Sequence, residues 1–260
     1  MNTDKPEKTA KICVRNLTMT YGKLVVMHDL NFEIDDKDIF CIIGGSGCGK
    51  STLLRHLIGL LEPATGSILY DGNDLTNTPP QDRGPFIRRI GVMYQSGALW
   101  SSLSLAENIS LPLQQSGKIP AKTVRDLVSY KLALVGLAGY EDYYPAQISG
   151  GMKKRAGIAR AMALDPDILF LDEPGAGLDP LSSRRLDDLI LSLRDSHNST
   201  IVIVTHELAS IFNISTKVLF LDTATRTQGA LGNPADLRDH SDNPAVRLFL
   251  NRGATPAPSS

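Results

Sequence analysis

The residues best suited to chemistry form one short run, Gly44-Gly45-Ser46-Gly47-Cys48-Gly49-Lys50-Ser51-Thr52, directly behind the apolar stretch at 39–43. Its spacing is G-x-x-x-x-G-K-[ST], in which glycines let successive backbone N–H groups close around a phosphate chain where a helix begins. Lys50 is then placed to reach β- and γ-phosphate oxygens, and the Ser51 hydroxyl suits Mg²⁺. A second set ends the apolar run Ile168-Leu169-Phe170-Leu171 with two carboxylates, Asp172 and Glu173. Asp172 is positioned to hold Mg²⁺, and Glu173 to orient a water against a γ-phosphate. Gln95, behind 90–94, offers an amide oxygen to Mg²⁺ or water, or is simply solvated. His206 follows another apolar run, 200–205, where ligands gather beyond the ends of a parallel sheet. His28, His56, His197 and His240 have no such placement and read as structural.

The elements that must position these groups can be read from periodicity. Leu53, Leu54, Leu57, Ile58 and Leu61 continue a helical stripe behind the glycine loop. Runs 39–43 and 168–171 are apolar throughout and 200–205 is apolar between two threonines, as expected of strands buried on both faces. Before them, residues 11–34 read as three short strands broken at Tyr21-Gly22, an antiparallel β lobe. Tyr21, with Val26 as an apolar neighbour, is placed to stack on an adenine face, or merely caps a hairpin. From Ser104 to about Ala138 the pattern is helical, with Pro112, Gly117 and Pro120 as breaks between helices. Ser149-Gly150-Gly151 opens a further helix with a small, apolar face of Met152, Ala156, Ala159 and Ala163, leaving Lys153, Lys154 and Arg155 outside it. Serine and glycines there make either an anion-binding end or an ordinary N-cap. Cys48, at a helix start, is set to favour the thiolate, or is a small residue the loop tolerates. Short helices are expected over 234–252, with Val246, Phe249 and Leu250 as one face, and the last eight residues have a disordered composition.

Composition narrows the class. The chain has 260 residues, 42% hydrophobic and 21% charged, with a formal charge of −1. That balance offers no general attraction to nucleic acid or anionic lipid. No run approaches the ~18 apolar residues of a membrane span, and residues 1–11 lack an export signal, so a cytosolic protein is expected. The three cysteines, Cys13, Cys41 and Cys48, have no metal-like spacing and do not support a disulfide framework.

In this order, the motifs resemble those of the ATP-binding cassette (ABC) ATPases along nearly the whole chain. Residues 44–52 are similar to Walker A, Gln95 to the Q-loop, Ile148-Ser149-Gly150-Gly151-Met152 to the signature, and 168–173 to Walker B. Gly177-Leu178-Asp179 looks like the D-loop, His206 the switch histidine and Tyr21 the A-loop; Met152 and Gly177 depart from the commonest residues without removing a phosphate contact. The resemblance implies an α/β P-loop NTPase fold with a mixed core sheet, an antiparallel β lobe and a helical subdomain. It divides the chain into a flexible start (1–10), one cassette (11–240, core 11–95 and 165–240, helical part about 96–164) and a C-terminal extension (241–260).

It also implies ATP and Mg²⁺ as ligands and a head-to-tail homodimer that clamps each ATP. Ser149, Gly150 and Gly151 of one copy would face Lys50, Ser51, Asp172, Glu173 and His206 of the other, with Asp179 communicating between them. Gln95-Ser96-Gly97-Ala98-Leu99, the signature's Lys153-Lys154-Arg155 continuation and the short tail helix resemble a narrower group, the ATPases of Mla-type lipid transporters. Those work with MCE-domain lipid-binding proteins. An integral-membrane permease, an MCE-type partner, a small regulatory subunit and a peripheral position on the cytoplasmic face of the inner membrane are therefore expected. Trp100 is expected either in the groove facing the permease or packed in the helical part. An importer of amino acids or another small solute, and a cassette ATPase without a transporter, are the rival readings.

Overall fold

The computed structural model describes residues 10–95, 97–117 and 119–252. The expected flexible start at 1–10, except Ala10, and the expected disordered end at 253–260 lie outside them. The strands are β1 (Ile12–Tyr21), β2 (Leu24–Ile34), β3 (Ile39–Gly44), β4 (Thr65–Tyr70), β5 (Asn73–Asp74), β6 (Ile90–Met93), β7 (Ile168–Asp172), β8 (Thr200–Val204), β9 (Lys217–Asp222) and β10 (Thr227–Gly232). One sheet is antiparallel in the order β2-β1-β4-β5; the other runs β10-β9-β3-β8-β7-β6. In the second sheet β9, β3, β8, β7 and β6 pair in parallel and β10 closes the edge antiparallel, so the core sheet is mixed.

The α-helices are α1 (Lys50–Leu57), α2 (Gly84–Ile87), α3 (Leu105–Gln115), α4 (Ala121–Leu134), α5 (Gly150–Ala161), α6 (Pro180–His197), α7 (Leu208–Ile214), α8 (Pro234–His240) and α9 (Pro244–Leu250). Strand alternation divides the core between them. Phe40, Ile42, Phe170, Val202 and Val204 face α1 and the antiparallel sheet. Ile39, Cys41, Ile43, Leu169, Leu171, Ile201 and Ile203 face the helices on the other side, including α3 to α7 and α9. Burial on both faces explains why β3 and β8 are apolar at nearly every position.

Two sequence expectations are corrected. Residues 12–34 form two long strands, not three short ones, turning at Gly22 and Lys23. Register shifts along β1 between Val14 and Thr20, and left-handed backbone at Asn16 and Asp29, interrupt the alternation without ending a strand. Pro112 lies inside α3 and does not break it. Its missing N–H costs one helical bond, but buried Leu113 anchors the last turn and the Ser116 N–H still donates to the Pro112 carbonyl. Gly117 and Pro120 do separate α3 from α4.

Candidate functional site

Strand β3 runs into the glycine loop, and the backbone there admits only glycine at two decisive points. At Gly44 (φ +148°) a Cβ would stand 2.7 Å from the Leu221 carbonyl; at Gly49 (φ +98°) it would stand 2.7 Å from Val26 Cγ1. The loop therefore lies tight against β9 on one side and the β2 hairpin on the other, with α1 starting at Lys50. The Lys50 ammonium donates to the carbonyls of Gly44 (3.0 Å) and Gly45 (2.9 Å), which holds it across the loop mouth.

A cleft of about 850 Å³ opens over this loop. Its walls include every residue from Gly44 to Thr52, together with Tyr21, Val26, Gln95, Glu173 and His206. Tyr21 both ends β1 before the hairpin turn and lines the cleft. Thr52 beside it, then Arg55, pull its phenol below the ordinary value, while partial burial opposes them. Beneath the loop the Ser51 hydroxyl donates to Asp172 Oδ1 at 3.4 Å. Burial, then the adjacent Glu173 charge, hold the Asp172 carboxyl above its usual range, while Ser51, Arg55 and Lys154 oppose them.

Glu173 stands just beyond β7 in left-handed backbone (φ +49°), its N–H donating to the Val204 carbonyl at 2.8 Å. Its Oε1 accepts from His206 Nδ1 at 2.9 Å. A carboxylate only accepts, so the shared proton sits on Nδ1 and Nε2 faces outward on a side chain that is 62% exposed. Glu173 Oε2 is buried without any hydrogen-bond partner among the described residues. An orphaned carboxylate oxygen inside a polar cleft is poised to accept from a water.

These groups fit Mg²⁺ and a polyphosphate. Among the described residues no three His, Cys, Asp or Glu side chains converge as a self-sufficient metal cage. A hydroxyl and a carboxylate 3.4 Å apart, with an amide nearby, are instead the sparse oxygen set of Mg²⁺, which fills its remaining positions with water and phosphate oxygens.

The remaining expected residues lie outside this cleft. Ser149 caps α5, accepting from the Met152 N–H at 3.3 Å, with Gly150 and Gly151 in the first turn. Asp179 caps α6, accepting from the N–H groups of Leu181 and Ser182 at 3.0 Å each; the Ser182 hydroxyl, then these N–H groups, hold its carboxyl below the usual range. A Cβ on Gly151 would meet Ser182 at 3.7 Å, so the two caps are neighbours on one surface of the molecule.

One local expectation is overturned, and two open alternatives lose a branch. Cys48 is buried, and burial raises its thiol pKa despite Lys50 3.9 Å away, so the loop does not favour a thiolate. Trp100 is 63% exposed and not packed in the helical part. Lys154 is not outside the apolar face of α5: it is 7% exposed, and its ammonium donates to the carbonyls of Gln95 and of Glu173. Sequence reasoning also missed Thr223, Arg226, Phe249 and Arg252, which line the cleft from the β9–β10 turn and the end of α9. Only the apolar stripe of α9 hinted at this, and nothing in its spacing pointed to a nucleotide.

A glycine loop between a buried strand and a helix, with a Ser–Asp pair below and a Glu–His pair opposite, defines the P-loop nucleotide triphosphatases. The ABC transporter family profile matches residues 27–176, and the chain belongs to that family. A Mycobacterium leprae (strain TN) protein described as the probable ribonucleotide transport ATP-binding protein mkl is 39% identical over 238 residues, 92% of this chain and 68% of its own length. The chain spans about two thirds of the length of such mycobacterial relatives. The Haemophilus influenzae intermembrane phospholipid transport system ATP-binding protein MlaF is 38% identical over 202 residues, 78% of this chain and 76% of MlaF. Among solved structures, the dimeric post-hydrolysis ATP-binding cassette MJ0796 bound to ADP and Pi superposes with a TM-score of 0.77 at 26% identity, over 85% of this chain and 98% of that one. The chain is thus an ATP-binding cassette ATPase of the transporter type. Among the described residues no helix is long and apolar enough to cross a membrane.

Proposed function

We propose that the chain hydrolyses ATP to energise phospholipid transport, in partnership with a permease and an MCE-type lipid-binding protein at the cytoplasmic face of the inner membrane, a small regulatory subunit completing the assembly. Hydrolysis rests on one observation, the Glu173 carboxylate with Oε1 held by His206 and Oε2 buried and unpartnered beside the loop. Glu173 orients or deprotonates the attacking water, His206 fixes the carboxylate rotamer, and Lys50 exchanges its loop carbonyls for phosphate oxygens. Ser51, Asp172 and Gln95 would hold Mg²⁺, which supplies charge neutralisation at the phosphates. Tyr21 and Val26 receive the base.

Because Ser149, Gly150, Gly151 and Asp179 lie outside the cleft, they serve a second copy, closing head to tail over its γ-phosphate. Residues 11–240 act as one cassette in this reading, with the helical part at about 96–164 passing the closing stroke to the permease and the extension from 241 left for subunit contacts. The MlaF likeness supports the lipid cargo. Relatives named for ribonucleotide transport and, at 35% identity, for sulfate/thiosulfate import support the second reading, a small solute. Co-purification of the chain with its permease, followed by mass spectrometry of bound small molecules, tests the choice: phospholipid is expected, and a complex carrying only a polar solute would overturn it.

A further inference from the structure

Helix α5 grips the segment behind β6 at three successive points. The Lys154 ammonium donates to the Gln95 carbonyl. Gly157 lies so close to the segment that a Cβ would come within 3.0 Å of Gly97 Cα. Arg160 donates to the carbonyls of Ala98 (2.7 Å) and Gly97 (3.2 Å). Of these contacts only Lys154 also reaches across to the other wall of the cleft, donating to the Glu173 carbonyl at 3.0 Å. That carbonyl belongs to the residue in left-handed backbone, a strained conformation that persists only where its surroundings enforce it. An ammonium presents three donors from a single point, so one nitrogen can bind two carbonyls from separate elements. Charge-assisted bonds of this kind are about twice as strong as neutral ones. Burying a lysine is otherwise costly, and among the described residues its hydrogen bonds go to carbonyls while the charges of Glu173, Glu207 and Asp172 offset part of the burial.

We propose that Lys154 is a positioning residue that clamps the Gln95 turn and the Glu173 strand end to α5, fixing their separation across the cleft and making them move with α5 as one body. This rests on the assignment of Glu173 as the water-orienting group. The reacting water is then aligned only while the clamp is intact, whereas nucleotide affinity, set by the loop and Tyr21, does not depend on it.

The test compares the full-length wild type with Lys154→Met, Lys154→Arg and Glu173→Gln, measuring steady-state turnover, the Kd of a fluorescent ATP analogue and the thermal midpoint. Lys154→Met should lower kcat by about tenfold or more, as for other misplacements of a reacting group, with Kd within about twofold of wild type. Lys154→Arg, which keeps the donors, should recover most of the loss. Wild-type kcat in Lys154→Met overturns the proposal, as does a rise in Kd that matches the fall in kcat, or failure of Lys154→Arg to recover any turnover. Should Lys154→Met not fold, Lys154→Gln, with a shorter donor, is expected to show a partial kcat loss at unchanged Kd, and unchanged kcat there is equally fatal. Glu173→Gln separates the two claims: wild-type turnover in it refutes the Glu173 assignment itself, while a normal loss there beside an unaffected Lys154→Met refutes only the clamp.

Discussion

Glu173 and Lys50 face the same cleft with different duties, and substitution should separate them. Glu173→Gln keeps the size of the side chain and a hydrogen bond to His206 but removes the charge that activates water. Turnover is expected to fall by about 10² or more with ATP binding retained. Lys50→Ala removes the ammonium at the loop mouth and should lose binding as well as turnover. Isothermal titration beside a phosphate-release assay distinguishes the two, and wild-type turnover in Glu173→Gln would refute the base assignment. At this scale the sequence was most readable where spacing alone sets chemistry, as in the loop from Gly44 to Thr52 and at the strand ends carrying Asp172 and His206. It misled where tertiary neighbours decide. Cys48 sits at a helix start that should favour a thiolate, yet Gly44 and the loop close over it and burial wins. Lys154 flanks a small-residue stripe that marks it as exposed, but two carbonyls from distant segments draw its ammonium inside.

Helix α1 shows how one element makes the stability of the fold depend on pH. His56 is buried; its Nδ1 donates to the Leu61 carbonyl at 2.9 Å, while Nε2 has no partner among the described residues. Burial pushes its pKa down, against smaller upward pulls from the Leu61 carbonyl and Glu62. The unfolded chain, titrating near 6.5, therefore binds this proton more readily than the folded one. His56 costs no stability above about pH 6.5, and stability falls as the pH drops from there toward the lower folded-state value. His56→Leu should flatten the dependence of the thermal midpoint on pH between about 5 and 7, at a loss of about 1–2 kcal/mol at pH 7.5 for the abandoned carbonyl. An unchanged slope in calorimetric melts would show that His56 is not the sensor. The continuous apolar runs made β3, β7 and β8 legible, and the 3.6 periodicity made α4 so. The long strands β1 and β2 were hidden because register shifts imitate strand ends, and α3 ran through Pro112 because packing of Leu113 outweighs one lost hydrogen bond.

For the molecule as a whole, the neighbouring caps at Ser149 and Asp179 are the features its own cleft leaves unused. If they complete a second copy's site, two inactive variants should repair each other. Lys50→Ala spoils only its own cleft and Ser149→Arg only its partner's, so random pairing leaves about a quarter of the sites intact. Mixed, co-refolded or co-expressed variants should regain roughly that share of turnover in a phosphate-release assay, and no recovery would sink the head-to-tail arrangement. The order of motifs along the chain made the cassette legible, since each falls at an element boundary the sheet requires. The C-terminal wall of the cleft was not legible, because α9 reaches it through Phe249 packing edge-on against Phe220 at 5.5 Å, a contact between segments with no shared pattern.

That wall has a practical side. Arg252 stacks over Phe249 and borders the cleft, so a bulky label attached at residue 252 would crowd the rim of the nucleotide cleft and is the wrong choice for binding assays.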